Sequence, residues 1–275
     1  MLVADRDEWM RRTGPLYPGL VALCALTPVP WPRGLSPSRE DLTRAAKWFP
    51  AVGATVGLVL VIVCELLLWM GFMPSLVAII AIGTGVAVTG PGRLRGAVTT
   101  IERVTPGAPP PVGDGLSATG ALTLIGLLAI ELGGLLATDI DSWGITLFAS
   151  EVMAYWCVLL LLHIAGDSPA SGVDAPSPTA DRPHFAVGAV SLPALGFGSA
   201  VAGAVALLAL VFAGAVAILS VILVALAAFG LGMLLRRRFG RLANDSLAAV
   251  ACLCGLLVLL AFSVAHPATA SPWFY

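Results

Sequence analysis

The chain has 275 residues, 58% of them hydrophobic and 11% charged, with mean hydropathy +0.95 and net charge −1. A soluble domain carries about 25% charged residues and cannot enclose this much apolar side chain, which excludes the soluble classes. The near-neutral charge gives no basic footprint for nucleic acid, and long unbroken apolar runs exclude an outer-membrane barrel.

The class that remains is an all-α polytopic membrane protein, a single integral membrane domain over residues 1–275. Residues 1–47 form its N-terminal part, 48–265 a helical bundle and 266–275 a short tail. Met1–Arg12 is charged and has no apolar core, so no cleavable signal peptide is expected. Residues 15–30 are apolar but fall short of the roughly 20 needed to cross a bilayer, and prolines stand at both ends. A re-entrant segment is expected there, beside the loop at 89–115. Ser38, followed by Glu40 and Asp41, marks the start of a short surface helix.

Hydropathy then predicts seven spans, at 50–71, 74–90, 116–137, 144–165, 194–213, 215–235 and 246–265. The junction of the fifth and sixth falls near Ala213-Gly214. With this count all 15 Lys and Arg fall on one side, as the positive-inside rule requires. The N-terminus is then cytoplasmic, the C-terminus outside, and the membrane the cell's inner membrane. Residues 166–184, rich in Pro, Ser and Asp, read as a loop, and Trp273, Phe274 and Tyr275 as an outer interfacial belt. The five cysteines, Cys24, Cys64, Cys157, Cys252 and Cys254, all lie in apolar runs and read as small core residues without disulfide or zinc.

The longest polar interruption in the first half is Val88–Gly120, with Arg93, Arg95, Glu102, Arg103 and Asp114. Three further acids, Glu65, Glu131 and Glu151, lie within spans, six or seven residues from the outer end and so roughly 10 Å deep. Intramembrane acids are candidates for function, but these three fall on the side away from the polar loop. His163 and His184 have no pairing motif that would make either a metal ligand.

Two stretches carry a family resemblance. Leu26-Thr27-Pro28-Val29-Pro30, then Phe49-Pro50-Ala51-Val52-Gly53 with Gly57, resembles the opening of the cobalamin synthase family, the adenosylcobinamide-GDP ribazoletransferases. Gly53 and Gly57 also have a structural role as a small-xxx-small pair for close helix packing. In the polar loop the family carries Thr-Gly-Gly-x-His-x-Asp-Gly-x-x-Asp-x-x-Asp. Thr89, Gly90 and Gly96 keep its frame, while Arg93 stands at the histidine and Arg95, Thr99 and Glu102 at the aspartates. Asp114 represents the acid of the next motif, Tyr155-Trp156 the family's Arg-Trp, and Gly240 and Asp245 the ends of a late Gly-Gly-x-Thr-Gly-Asp.

The resemblance implies that α-ribazole and a nucleotide-activated corrinoid, adenosylcobinamide-GDP, are joined to give adenosylcobalamin and GMP. Such chemistry holds a pyrophosphate while a ribose hydroxyl attacks, so it uses carboxylates for Mg²⁺ and for the proton. Glu102, Asp114 and Asp245 are the expected catalytic and metal-binding residues, and Arg93, Arg95 and Asn244 the expected substrate-binding ones, with the two arginines at the rim. Arg95 puts a cation where the family binds one, which leaves a second reading, a catalytically silent relative serving as a membrane partner or scaffold. A third is a small transporter working through the intramembrane glutamates. Beyond the lipid bilayer and these substrates, association as a homo- or hetero-oligomer stays open.

Overall fold

The computed structural model describes residues 6–32, 37–105, 116–165, 190–239 and 244–268, and among them the fold is helical with no strand. Asp114, the expected loop at 166–184 and the aromatic tail lie outside the described residues. After a short first helix, α1 (Arg6–Thr13), comes α2 (Tyr17–Leu26). Its ten residues reach roughly 15 Å, too short to cross. It ends where the Thr27 amide and hydroxyl both donate to the Leu23 carbonyl, at 2.9 and 2.6 Å. Tyr17, Val21 and Ala22 are buried, and α2 packs on α3 (Arg39–Ala45) and α4 (Phe49–Trp69); the expected neighbouring loop at 89–115 lies partly outside the described residues. Ser38 does start α3. Its hydroxyl accepts from the Asp41 amide at 3.2 Å while its own amide donates to the Asp41 carboxylate at 2.9 Å, a reciprocal cap.

The bundle follows as α5 (Pro74–Thr89), α6 (Gly92–Val104), α7 (Ala118–Ala137), α8 (Trp143–Ala165), α9 (Leu192–Ala213), α10 (Ala215–Phe239) and α11 (Asn244–Ala265). Six of these helices, α4 and α7 to α11, are long and apolar enough to cross a membrane. The second predicted span differs. Its helix α5 has 16 residues, roughly 24 Å, and is followed after Gly90-Pro91 by α6 at 90°. By length and composition the pair is either a seventh, broken span or a re-entrant loop. Gly90 makes the elbow, since its φ of +75° is a region that side chains disfavour.

α8 and α11 form the centre of the bundle. Of their most apolar stretches 78% and 67% are buried, against 22–33% for the other four spans. Those four present Ile62, Leu122, Val211, Leu226 and Phe229 outward. Apolar faces of this extent need lipid around them. α4 lies tightly along α8. A Cβ on Gly53 would come within 2.6 Å of the Glu151 carbonyl oxygen, and one on Gly57 within 2.9 Å of the Phe148 Cα. The small-xxx-small pair therefore clears the way for the neighbouring backbone, as expected. All five cysteines are free and buried. Cys252 lines a cavity while Cys254 approaches the Val224 carbonyl of α10, so the two do point to different sides.

Candidate functional site

The elbow decides where the polar residues go. Because α5 is short and α6 turns across the bundle, the first turn of α6 sits among the spans instead of beyond them. Arg93, expected at the rim, points inward with 17% of its side chain exposed. Its Nη1 donates to both carboxylate oxygens of Glu151 on α8, at 2.8 and 2.6 Å, and Glu151 is 7% exposed. The guanidinium carbon lies 5.9 Å from the centre of the Tyr155 ring, one turn further along α8. On the other side a Cβ at position 255 would stand 2.9 Å from Nη2, so glycine on α11 leaves the guanidinium its present position. The Gly53 contact with the Glu151 carbonyl fixes the turn that carries the acid.

A cavity of about 40 Å³ opens beside this pair, bounded by α4, α5, α6, α7, α8 and α11. Its walls are apolar except for Arg93, Glu151, Glu131, Ser150, Thr89 and Cys252. The hydroxyls of Ser150 and Thr89 are satisfied by carbonyls of their own helices, at 2.9 and 2.8 Å. Glu131 and Glu151 are therefore not apart from the polar loop, as the span count suggests. They share a cavity with one of its arginines. Glu65 is exposed and does not take part.

Two of the remaining candidates, Glu102 and Asp245, lie along α6. Gly96 and Arg103, seven residues apart, face α11. A Cβ at Gly96 would meet Ala248 at 2.6 Å, and Arg103 Nη2 lies 3.6 Å from Asp245 Oδ2 in the first turn of α11. Val98 and Glu102 face α7. The Ser117 hydroxyl donates to Glu102 Oε1 and also accepts from the Gly120 amide at 3.0 Å, capping α7. Glu102 and Asp245 thus sit on two flanks of α6, about 100° apart round the helix. Arg95 is exposed on the same helix. Asp114 and the Asn244 side chain lie outside what is described.

This arrangement fits Mg²⁺ only in one form. No three His, Cys, Asp or Glu groups converge among the described residues, so Glu102 and Asp245 do not make a resident cage. Mg²⁺ is ordinarily held by one or two carboxylates together with substrate phosphates, and the half-exposed Asp245 suits that role.

Sequence reasoning missed the Arg93–Glu151 pair. A signal existed in the acid itself, because a carboxylate at membrane depth calls for a cationic partner. Nothing in hydropathy showed that α5 would stop short and bring Arg93 to it.

The fold and this buried ionic centre define the class: a polytopic helical membrane protein with polar groups assembled round a broken span. Residues 19–98, from α2 through the elbow to the middle of α6, match the family described as cobalamin-5-phosphate synthase. Over this segment the chain is similar to the cobalamin synthase family. It is similar to the adenosylcobinamide-GDP ribazoletransferase of Brevibacillus brevis, with 31% identity over 143 residues. That match covers 50% of this chain and 56% of the relative, so the chain spans little more than half the length of the curated protein it matches. No solved structure matches the chain significantly.

Proposed function

We propose that this protein is a transferase of cobalamin biosynthesis that joins adenosylcobinamide-GDP and α-ribazole to give adenosylcobalamin and GMP. The observation that carries the reading is the family match across α2–α6 together with the named relative. A ribose hydroxyl oxygen attacks the corrinoid-side phosphorus, the new O–P bond forms, and the bond to GMP breaks. Asp245 or Glu102 accepts the hydroxyl proton. Arg95 and Arg103, both exposed on α6, pair with the pyrophosphate oxygens. Asn244 and Asp114 flank this face in sequence and belong to the same proposal. Asp245, and in the larger set Glu102 and Asp114, would hold a Mg²⁺ together with the pyrophosphate oxygens. When bound it neutralises phosphate charge.

In this reading the end of the bundle carrying Asp245 and Arg103 faces the cytoplasm, the N-terminus is cytoplasmic, and the protein sits in the inner membrane. The distribution of basic residues supports that orientation. A second reading, a silent membrane partner, draws support from the ties already present: Arg93 is occupied by Glu151, and Asp245 by Arg103. Detergent-purified protein incubated with adenosylcobinamide-GDP, α-ribazole and Mg²⁺ decides between them. GMP release with adenosylcobalamin formation supports the transferase; its absence in folded protein supports the silent relative.

A further inference from the structure

The cavity beneath the elbow is not electrically balanced. It holds one guanidinium, Arg93, and two carboxylates, Glu151 and Glu131. Both oxygens of Glu151 are taken by Arg93 Nη1, while Nη2 faces the backbone at Gly255. Glu131 therefore has no hydrogen-bond or ion-pair partner among the described residues, although it lines the same cavity from α7. The other titratable groups facing it are Cys252 on α11 and, behind Arg93, Tyr155 on α8; the polar Thr89 on α5 and Ser150 on α8 are satisfied by carbonyls of their own helices, and α4 and α5 offer no titratable side chain there. An uncompensated carboxylate at this depth is too costly to persist. The missing charge is a single positive one. The space, about 40 Å³, holds two or three waters or one small partly hydrated ion, and no organic cation.

We propose that Glu131 is the ligand of one exchangeable monovalent cation, a proton or Na⁺, held in the intramembrane cavity beside the Arg93–Glu151 pair. The site is separate from the residues assigned to group transfer, and it holds whether or not that assignment does. The ion completes the charge of a cavity that α5, α6, α7, α8 and α11 share, so its binding stabilises their packing.

Purified protein in detergent tests this. Dicyclohexylcarbodiimide attacks protonated carboxyls in apolar surroundings, and peptide mapping locates the adduct. We expect labelling at Glu131, and thermal unfolding in Na⁺ compared with choline distinguishes the two ions. If Na⁺ binds, it lowers the labelling roughly fivefold at about four times Kd and raises Tm, and in Glu131→Gln the adduct is absent and Na⁺ no longer raises Tm. If the proton is the resident ion, Glu131 labels equally in Na⁺ and choline and Tm is the same in both. Protein that neither labels at Glu131 nor responds to Na⁺ overturns the proposal.

Discussion

Arg93 and Glu151 are 58 residues apart in the chain, yet one guanidinium nitrogen holds both oxygens of the carboxylate inside the bundle, at 2.8 and 2.6 Å. The pair joins the broken span to the most buried helix. Removing one member strands the other's charge, whereas replacing both with apolar residues does not. We expect Arg93→Ala or Glu151→Ala to destabilise the protein by about 3–5 kcal/mol. The double change Arg93→Ala with Glu151→Ala should cost clearly less than the sum. Denaturation of the three variants in detergent gives the coupling, and strict additivity would show that the pair carries no joint energy.

Gly53 provides a separate test of the same turn. A methyl group there meets the Glu151 carbonyl at 2.6 Å and the Tyr155 ring at 2.9 Å. Gly53→Ala should therefore cost about 1–3 kcal/mol through overpacking. Gly83→Ala on α5 meets nothing within 4 Å and serves as the comparison, with a stability change within about 1 kcal/mol of zero. Equal losses in the two variants would count against backbone contact as the reason for glycine.

Asp245 separates function from stability. Its ion pair with Arg103 is long, at 3.6 Å, and both side chains are more than a third exposed, so it contributes less than about 1 kcal/mol. Asp245→Asn should leave Tm nearly unchanged while lowering transferase turnover by about 100-fold or more, if the carboxylate takes the proton. Full activity in the variant would remove Asp245 from the site.

Much of this architecture was legible in the sequence, and the reason is physical. Apolar runs of bilayer length leave little choice of helix position, so α4 and α7 to α11 fall within a few residues of the predicted spans. Proline before and glycine after such runs fixed the breaks, as at Gly214 between α9 and α10. Ser38 announced α3 because its cap is local. What hydropathy could not supply was the depth of Arg93. That depends on a 16-residue helix, a positive φ at Gly90 and the space left by Gly255, which lie in three parts of the chain. The acids were sorted by distance along their own helices, which placed Glu131 and Glu151 away from the polar loop when they adjoin its first turn. The placement of Glu102 and Asp245 on two flanks of α6 was likewise invisible, since it follows from which helices pack on that face.

Orientation gives the next expectation. Reporters fused after Ala175 and after Tyr275 should lie on opposite sides of the membrane, the first in the cytoplasm, if the chain crosses seven times, the count that puts every Lys and Arg on one side. Both fusions reporting the same compartment would mean that the bent α5–α6 pair does not count as a crossing.

The elbow also has a consequence for biogenesis. α5 and the first turn of α6 are synthesised before α7 and well before Glu151 on α8. Until α8 is made, Arg93 lacks the carboxylate that it grips in the finished fold, and a guanidinium without its counter-charge stays near hydrated headgroups. Drawing that one side chain inward is thus a late step, conditional on the second half of the chain. The broken span acts as a latch that the ribosome leaves open and the completed bundle shuts.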